Sequence, residues 1–176
     1  MGPVISDFSI NSKKNNIYNG KTIALIGSSK ELELNDYSDV FSTVDFDIVA
    51  RVNCVLNKNL DSLDIPDNVI NHTTHRTDIM YHAGSQTNED YSFFSEYINV
   101  CKKNNIKHII ITEHSRYKGI CKKFQQSGKM ILKLHNRLKN HTNGTWHTAG
   151  VKAILDILKF NPKKLYIFGM DLHLSY

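Results

Sequence analysis

The feature of this sequence that most constrains its fold is a series of short apolar runs, each of which stops at a polar residue or a glycine. Runs of this length, rich in Ile, Val and Leu, are typical of strands buried on both faces of a sheet. Four segments fit: Thr22–Ile26 (before Gly27), Asp47–Asn53, Lys107–Thr112 and Lys164–Phe168. Because helical segments separate them, the predicted fold class is α/β: a single Rossmann-like domain with a mostly parallel sheet and helices on both faces.

Three intervening segments have helical patterns. Glu89–Asn104 and Thr148–Phe160 each place apolar side chains at i, i+3, i+4 and i+7. Lys129–His141 is predicted to be a third helix, with a basic outer face that we interpret as solvated. The side chains predicted to face inward are Phe94, Tyr97, Ile98 and Cys101, then Val151, Ile154, Leu155 and Leu158, then Ile131, Leu134 and Leu138; Lys133, Arg137 and Lys139 are predicted to face outward.

Length and composition narrow the class of protein further. The 176 residues suit one domain, with residues 1–20 as an irregular N-terminal arm and residues 21–176 as the folded unit. A formal charge of +5 favours anionic ligands such as phosphates, acidic sugars or nucleic acid. The three cysteines form no C-x-x-C pair, and no apolar run approaches the roughly 20 residues of a membrane-spanning helix. These features predict a soluble, intracellular protein.

Two glycine-containing turns are candidate anion sites. Gly27, Ser28 and Ser29 follow the first predicted strand, where backbone amides and hydroxyls can meet anionic oxygens. This turn matches neither G-x-G-x-x-G nor the phosphate-binding loop that ends in Gly-Lys-Ser/Thr, so an ordinary strand-to-helix turn remains an alternative. Thr148, Ala149 and Gly150 begin a predicted helix, and a simple helix cap explains them equally well.

Two sequence patterns that can indicate a metal site are weaker than the glycine turns. His72 and His75 have a spacing that can bind a metal on a helix, but no third ligand of suitable spacing follows. Asp45-Phe46-Asp47 matches the D-x-D pattern of metal-dependent glycosyltransferases, yet it precedes a strand instead of following one. The sequence therefore predicts a solvated turn at Asp45–Asp47, and neither a metal nor any other bound cofactor.

Several segments in fixed order resemble the sialyltransferases of glycosyltransferase family 29, and more distantly the bacterial sialyltransferases of related fold. The family's large motif has a strand ending V-G-N-S-G, a strand ending R-x-N and a T-T-H-R stretch, and its small motif has P-S-T-G before an apolar helix and a strand ending Y-G-F. The similar segments here are Leu25–Ser29, Val49–Asn53, Thr73–Arg76 with Met80–Tyr81, His147–Gly150 and Tyr166–Asp171. The resemblance extends roughly from Lys21 to Asp171.

The resemblance implies transfer of a sialic acid-type sugar from a CMP-activated donor to a glycan hydroxyl, with inversion and without a metal. It implies that Gly27, Ser28 and Ser29 line the cytidine and phosphate side and that Asn53 hydrogen-bonds the phosphate. Arg51 would orient the loop at the strand end. The residues implied to meet the sugar carboxylate or nucleotide are Thr148, Ala149 and Gly150. His75 and Arg76 would contact the donor or fix their loop structurally.

The sequence departs from the family at several positions. Ser28 stands where the family has asparagine, and Ala149 stands where it has a hydroxyl. The cysteines that join the two motifs in secreted members have no counterpart here. The family's base histidine lies beyond the small motif, whereas this chain ends at Tyr176, so His173 is the one candidate base.

These departures leave three hypotheses open. In the first hypothesis, the chain is a glycosyltransferase core, either a whole one or a fragment of one. In the second, it is a noncatalytic module that binds a nucleotide or nucleotide sugar. The third hypothesis, a basic nucleic-acid-binding protein, rests on the charge and on Lys129–His141, and no recognisable RNA or DNA motif supports it.

Overall fold

The protein contains a six-stranded, fully parallel sheet of order β5-β4-β3-β2-β1-β6. A computed structural model describes residues 17–54, 56–59, 61–82, 91–112, 131–133 and 148–170. The strands are β1 (Thr22–Ile26), β2 (Ile48–Val52), β3 (Ile79–His82), β4 (His108–Ile111), β5 (Ile131–Lys133) and β6 (Lys164–Phe168). The helices are α1 (Glu31–Leu34), α2 (Ser38–Thr43), α3 (Asp67–His72), α4 (Tyr91–Lys103) and α5 (Ala149–Leu158).

The order of the strands determines where the helices lie. From β1 the chain adds strands stepwise in one direction as far as β5, and then returns to place β6 on the other side of β1. Because crossovers between parallel strands are right-handed, the reversal moves the connecting helix to the opposite face. Helices α1 to α4 accordingly pack on one face, and α5 packs on the other. The predicted α/β fold with helices on both faces is confirmed.

The sequence prediction found four of the six strands. It missed β3, a four-residue strand of mixed polarity, and it was wrong at β5. Residues 131–133 were predicted as part of the helix Lys129–His141, but they pair in parallel with β4, Ile109 with Ile131 and Ile111 with Lys133. The helical spacing of Ile131 and Leu134 gives no sign of the open edge of β4, which needs a partner for its backbone groups. The rest of the predicted helix lies outside the described residues.

The predicted inner face of α4 is confirmed at Tyr97, Ile98 and Cys101, all of which are buried. The side chain of Phe94 lies outside the described part. Burial raises the pKa of the Cys101 thiol to about 12, as expected for a small core residue that does not ionise near neutral pH.

The predicted inner face of α5 is rotated from the observed one. Of the predicted positions, Ile154 and Leu155 are partly buried and pack against the core, whereas Leu158 is 50% exposed. The buried positions are Ala149, Ala153, Asp156 and Ile157. Two alanines on one face allow the helix to approach the sheet closely. Because periodicity ranks Leu above Ala and treats Asp as polar, the prediction selected the neighbouring face.

A buried polar network holds α5 against β3. The Tyr81 hydroxyl donates to Asp156 Oδ2 at 2.7 Å, and its oxygen lies 2.6 Å from the hydroxyl oxygen of Tyr18. Burial, and then the charge of Asp156, raises the pKa of Tyr81 well above its ordinary value. Tyr18 belongs to the segment predicted as an irregular arm, yet it is only 1% exposed. Its ring also packs against Phe160, so the end of the arm is part of the core.

Ion pairs and hydrogen bonds join the segments around the starts of β2, β3 and β4. Asp78 accepts the Val49 N–H at 2.9 Å and forms ion pairs with Arg76 Nε at 2.8 Å and Lys107 Nζ at 2.9 Å. Burial alone would raise the pKa of Asp78, but the Val49 hydrogen bond and the two cations outweigh burial and lower it. At the same edge, Asp47 accepts the Thr22 N–H and pairs with Lys21.

We expect Asp78→Asn to lower the free energy of unfolding near neutral pH by about 1–3 kcal/mol, because it removes both ion pairs and places an amide against the Val49 N–H. A carboxylate with a depressed pKa stabilises the fold above its ordinary pKa of 3.8, and this contribution is lost as pH falls through the lower folded value. The difference between wild type and variant should therefore shrink in acid. Urea unfolding at several pH values measures it.

Asp45→Asn is the matched control, because Asp45 is exposed and makes no hydrogen bond or ion pair in the described part of the chain. A difference between wild type and Asp78→Asn that stays constant from neutral to acid pH would contradict the assigned pKa shift.

Candidate functional site

The candidate site lies at the carboxyl edge of the sheet, where β1 stands between β2 and β6. Ligands of open α/β sheets bind at such a point, where successive connections leave the sheet in opposite directions. Three chain segments meet here: the turn after β1, the end of β2, and the first turn of α5. Each of these segments contains site residues that were predicted from the sequence.

The turn after β1 is tightly joined to the turn after β6. The Gly27 N–H donates to the Phe168 carbonyl at 2.8 Å, and the Ser29 N–H donates to the Gly169 carbonyl at 3.0 Å. A Cβ atom on Gly27 would lie 2.1 Å from the Gly169 oxygen. Glycine is therefore required at position 27 by backbone packing, and two of the amides that the sequence offered to an anion are occupied within the protein.

The serine side chains extend this turn towards the site. Ser29 Oγ accepts the Glu31 N–H at 3.2 Å, which fixes the start of α1. Ser28 is exposed and, like Ser29, lines the cavities on both sides of the turn. The Ser28 and Ser29 hydroxyls are thus among the polar groups that this turn presents to a ligand.

Asn53 ends β2 in the left-handed backbone conformation, with φ of 55°. Asparagine tolerates this region better than most residues because its short amide side chain bonds locally. The Asn53 N–H donates to the Tyr81 carbonyl at 2.8 Å, which continues the β2–β3 pairing for one residue beyond the strand. The turn directs the chain out of the sheet and leaves Asn53 in the walls of both cavities.

The first turn of α5 forms the opposite wall. Thr148 has extended backbone angles, and its Oγ1 accepts the Val151 N–H at 3.4 Å, so it is the N-cap. The N-terminal amides of an α-helix carry a partial positive charge that favours an anion. Met170 lies against Gly150, where an added Cβ would be 2.9 Å from the methionine Sδ.

The three segments, together with Met170 after β6, enclose a cleft of 410 Å³. Its lining combines hydroxyls, one amide and one ammonium group with small apolar surfaces. The lining residues are Ser28, Ser29, Lys30, Val52, Asn53, Thr148, Ala149, Gly150 and Met170. Six of the eight predicted donor-binding residues are in this set.

A second compartment of 210 Å³ opens on the other side of the same turn. Ser28, Ser29 and Asn53 line it as well, so the two spaces share a wall. Its other polar groups are the carboxylates of Glu33 and Asp64 and the guanidinium of the buried Arg51. The rest of its lining is apolar: Gly27, Leu32, Cys54, Ile65, Pro66 and Val69. Burial raises the pKa of the Cys54 thiol, so this group stays protonated.

Arg51 holds the loop before β3 from inside the protein. It is 1% exposed, and its guanidinium donates to Thr77 Oγ1 at 3.1 Å, to the Thr74 carbonyl and to Thr73 Oγ1 at 3.4 Å. Burial lowers its pKa from the ordinary value of 12.5. The hydrogen bonds of Arg51 run to the Thr73–Thr77 loop.

The other predicted residues lie away from the cleft. Arg76 donates to the carbonyls of Phe46 and Asp47 at the amino edge of the sheet, and His75 is exposed in the same loop. The sequence left two roles open for Arg76, contact with the donor or structural fixing of its loop. These hydrogen bonds correspond to the second role. His72 ends α3 and packs against the ring of Tyr37, and His75 lies beyond the end of that helix. Among the described residues, no three His, Cys, Asp or Glu side chains are grouped as metal ligands. His173 lies outside them.

Lys30 and the carboxylates of the second compartment were not among the predicted site residues. Lys30 directly follows the predicted anion turn, and this adjacency was an available signal for it. Glu33 lies in α1, after β1, and Asp64 lies in the loop after β2, so only the fold brings them to one space.

No family model matches this chain, and neither does any curated protein. In the part of the chain that the structure describes, no helix is both long enough and apolar enough to cross a membrane.

Proposed function

We propose that the protein is a sialyltransferase-like glycosyltransferase, which transfers a sialic acid-type sugar from a CMP-activated donor to a glycan hydroxyl without a metal. The observation that carries this proposal is the cleft at the reversal point of the sheet. Ser28, Ser29 and Asn53 lie there opposite Thr148–Gly150, and these are segments in which the sequence resembles that family.

The cleft suits a phosphate whose charge grows as the sugar leaves. The Ser28 and Ser29 hydroxyls, the Asn53 amide and the Lys30 ammonium supply hydrogen-bond donors on one side. On the other side, the N-terminal turn of α5 supplies a positive dipole end for the sugar carboxylate. Donors fixed in position stabilise the leaving phosphate as a divalent ion would in other glycosyltransferases.

The second compartment suits the nucleoside. Leu32, Ile65 and Val69 offer apolar surface to a flat base, and Glu33 and Asp64 offer hydrogen-bond acceptors. Carboxylates accept from the exocyclic amine of cytosine, for which uracil has only a carbonyl oxygen in the same position. The compartment therefore supports a preference for CMP over UMP.

Calorimetric titration of the full chain with CMP, CDP and UMP tests this proposal. We expect CMP to bind more tightly than UMP, with millimolar affinity or better. Equal affinity for CMP and UMP, or no heat of binding at millimolar nucleotide, would contradict it. Release of CMP from CMP-sialic acid, measured in the same preparation, separates transfer chemistry from binding alone.

A noncatalytic CMP-sugar-binding module is the second candidate. The specific observation in its favour is the chemistry of the main cleft, where the described polar side chains are hydroxyls, an amide and an ammonium group. These groups hold an anion but do not accept a proton from a sugar hydroxyl near neutral pH. Tight CMP binding together with no CMP release from the donor, with or without a glycan acceptor, would favour this module.

A further inference from the structure

The amino edge of the sheet, opposite the cleft, carries a row of basic side chains. Backbone hydrogen bonds define its central part, because the Lys163 N–H donates to the Lys21 carbonyl, the Asp47 N–H to the Thr22 carbonyl, and the Lys107 N–H to the Asp78 carbonyl. The ends of α4 and α5 reach the same edge. We call this set the amino-edge row: Lys21, Arg76, Lys102, Lys103, Lys107, Lys159, Lys163 and Lys164.

Three described carboxylates at this edge, Asp45, Asp47 and Asp78, balance only part of the row. Asp47 pairs with Lys21, and Asp78 pairs with both Arg76 and Lys107. Lys102, Lys103 and Lys164 are exposed and form no ion pair within the described part of the chain. The row therefore keeps a net positive charge after its internal pairs are counted.

At the carboxyl edge of the sheet, in the segments that follow β1 and β2, carboxylates outnumber ammonium groups. The segments that follow β1 and β2 carry the carboxylates of Glu31, Glu33, Asp61, Asp64 and Asp67 against the ammonium groups of Lys30 and Lys58. The positive charge of the described chain is thus concentrated at the end of the sheet away from the cleft. A charge asymmetry of this kind orients a protein on a charged surface.

The dimensions and residue types of the row favour a broad, flat partner. From β4 to β6 the row crosses five strands, a width of about 19 Å at the usual strand spacing. Its exposed cations Lys102, Lys103 and Lys164 are lysines, which act as point charges on flexible stems and suit scattered headgroups better than one defined ligand. Leu158, half-exposed beside Lys159 at the end of α5, adds apolar surface that a headgroup region accommodates.

Nucleic acid fits the row less well. Binding to single strands uses aromatic stacking platforms, and readout of duplex bases uses arginine forks. The one arginine of the row is occupied by Asp78 and by the carbonyls of Phe46 and Asp47. We propose that the amino-edge row docks the protein on the phospholipid headgroups of an anionic membrane surface, with the cleft facing away from the lipid.

Vesicle co-sedimentation of the full chain tests this proposal, with phosphatidylcholine vesicles compared with vesicles that also contain phosphatidylserine. We expect binding to the mixed vesicles alone, and weaker binding as salt rises. Lys163→Gln with Lys164→Gln should weaken the partition by about 30-fold, the effect of two lysines near an anionic surface. Lys102→Gln with Lys103→Gln, at the other end of the row, should act similarly.

The matched control is Lys30→Gln with Lys58→Gln, which removes the same charge from the carboxyl edge and should leave vesicle binding nearly unchanged. All six lysines are exposed, so each variant should fold, and its thermal melting checks this. Equal loss from the control pair would show a response to net charge only and overturn the proposal. Absence of vesicle binding at low salt would overturn it too, and so would tighter binding of duplex DNA or RNA through the same lysines.

Discussion

Replacing Gly27 with alanine is expected to lower the free energy of unfolding by about 3 kcal/mol, the upper range for overpacking a rigid core. The added Cβ would lie 2.1 Å from the carbonyl oxygen of Gly169 and 2.9 Å from its carbon. Neither atom can move without breaking the hydrogen bonds that join the turns after β1 and β6. For a chain of this length the melting temperature should fall by about 6 to 12 °C.

Two other glycines serve as controls for this prediction. Gly20→Ala meets open space, so only its positive φ of 68° opposes it, and we expect a loss of about 1 kcal/mol. Gly150→Ala meets the flexible end of Met170, which can shift, so its cost should also be small. Thermal and urea unfolding of the three variants rank these costs. A Gly27→Ala variant as stable as Gly20→Ala would show that the two turns are not packed as described.

At Gly27, the sequence predicted the end of the strand but not the reason for the glycine. The run Thr22–Ile26 ends at a glycine, and both strand bounds were predicted correctly because a buried apolar run has a clear end. The reason for the glycine was not predictable, since it depends on Gly169, which is distant in sequence and becomes a neighbour only because β6 pairs with β1.

Two of the elements that were predicted wrongly share a physical cause. β5 and the buried face of α5 depend on what lies beside them more than on their own pattern. β5 completes the edge of β4, and α5 turns its alanines and Asp156 inward because Tyr81 donates to that carboxylate. Hydrophobic periodicity contains no information about either partner.

The candidate site was predictable in its position more than in its chemistry. Parallel strands end at a common edge, so Ser28 and Asn53, which follow two predicted strands, fall on the same side of the sheet. The resemblance implied that Thr148 meets the same donor, and all three residues line one cleft. The sequence could not show that the Gly27 and Ser29 amides would be used within the protein. It also could not show that Arg51 would direct its guanidinium to Thr73–Thr77.

Lys30→Glu is expected to weaken CMP binding by about 100-fold, because it removes a charge-assisted hydrogen bond to the phosphate and puts a like charge beside it. Lys30 is the one cationic side chain that the described part of the chain contributes to the 410 Å³ cleft. Calorimetric titration measures the loss, and cytidine, which has no phosphate, should bind both proteins within about twofold if the effect is electrostatic.

Lys58→Glu is the matched control, since it makes the same charge change on the same edge of the sheet but lines neither cavity. Salt screens a general field of the protein more strongly than a direct contact, so the Lys30 effect should persist at an ionic strength that removes any Lys58 effect. Equal losses for the two variants would assign the effect to the overall field. Unchanged CMP binding in Lys30→Glu would contradict a phosphate site at the Ser28–Lys30 turn and would indicate that the phosphate lies nearer the first turn of α5.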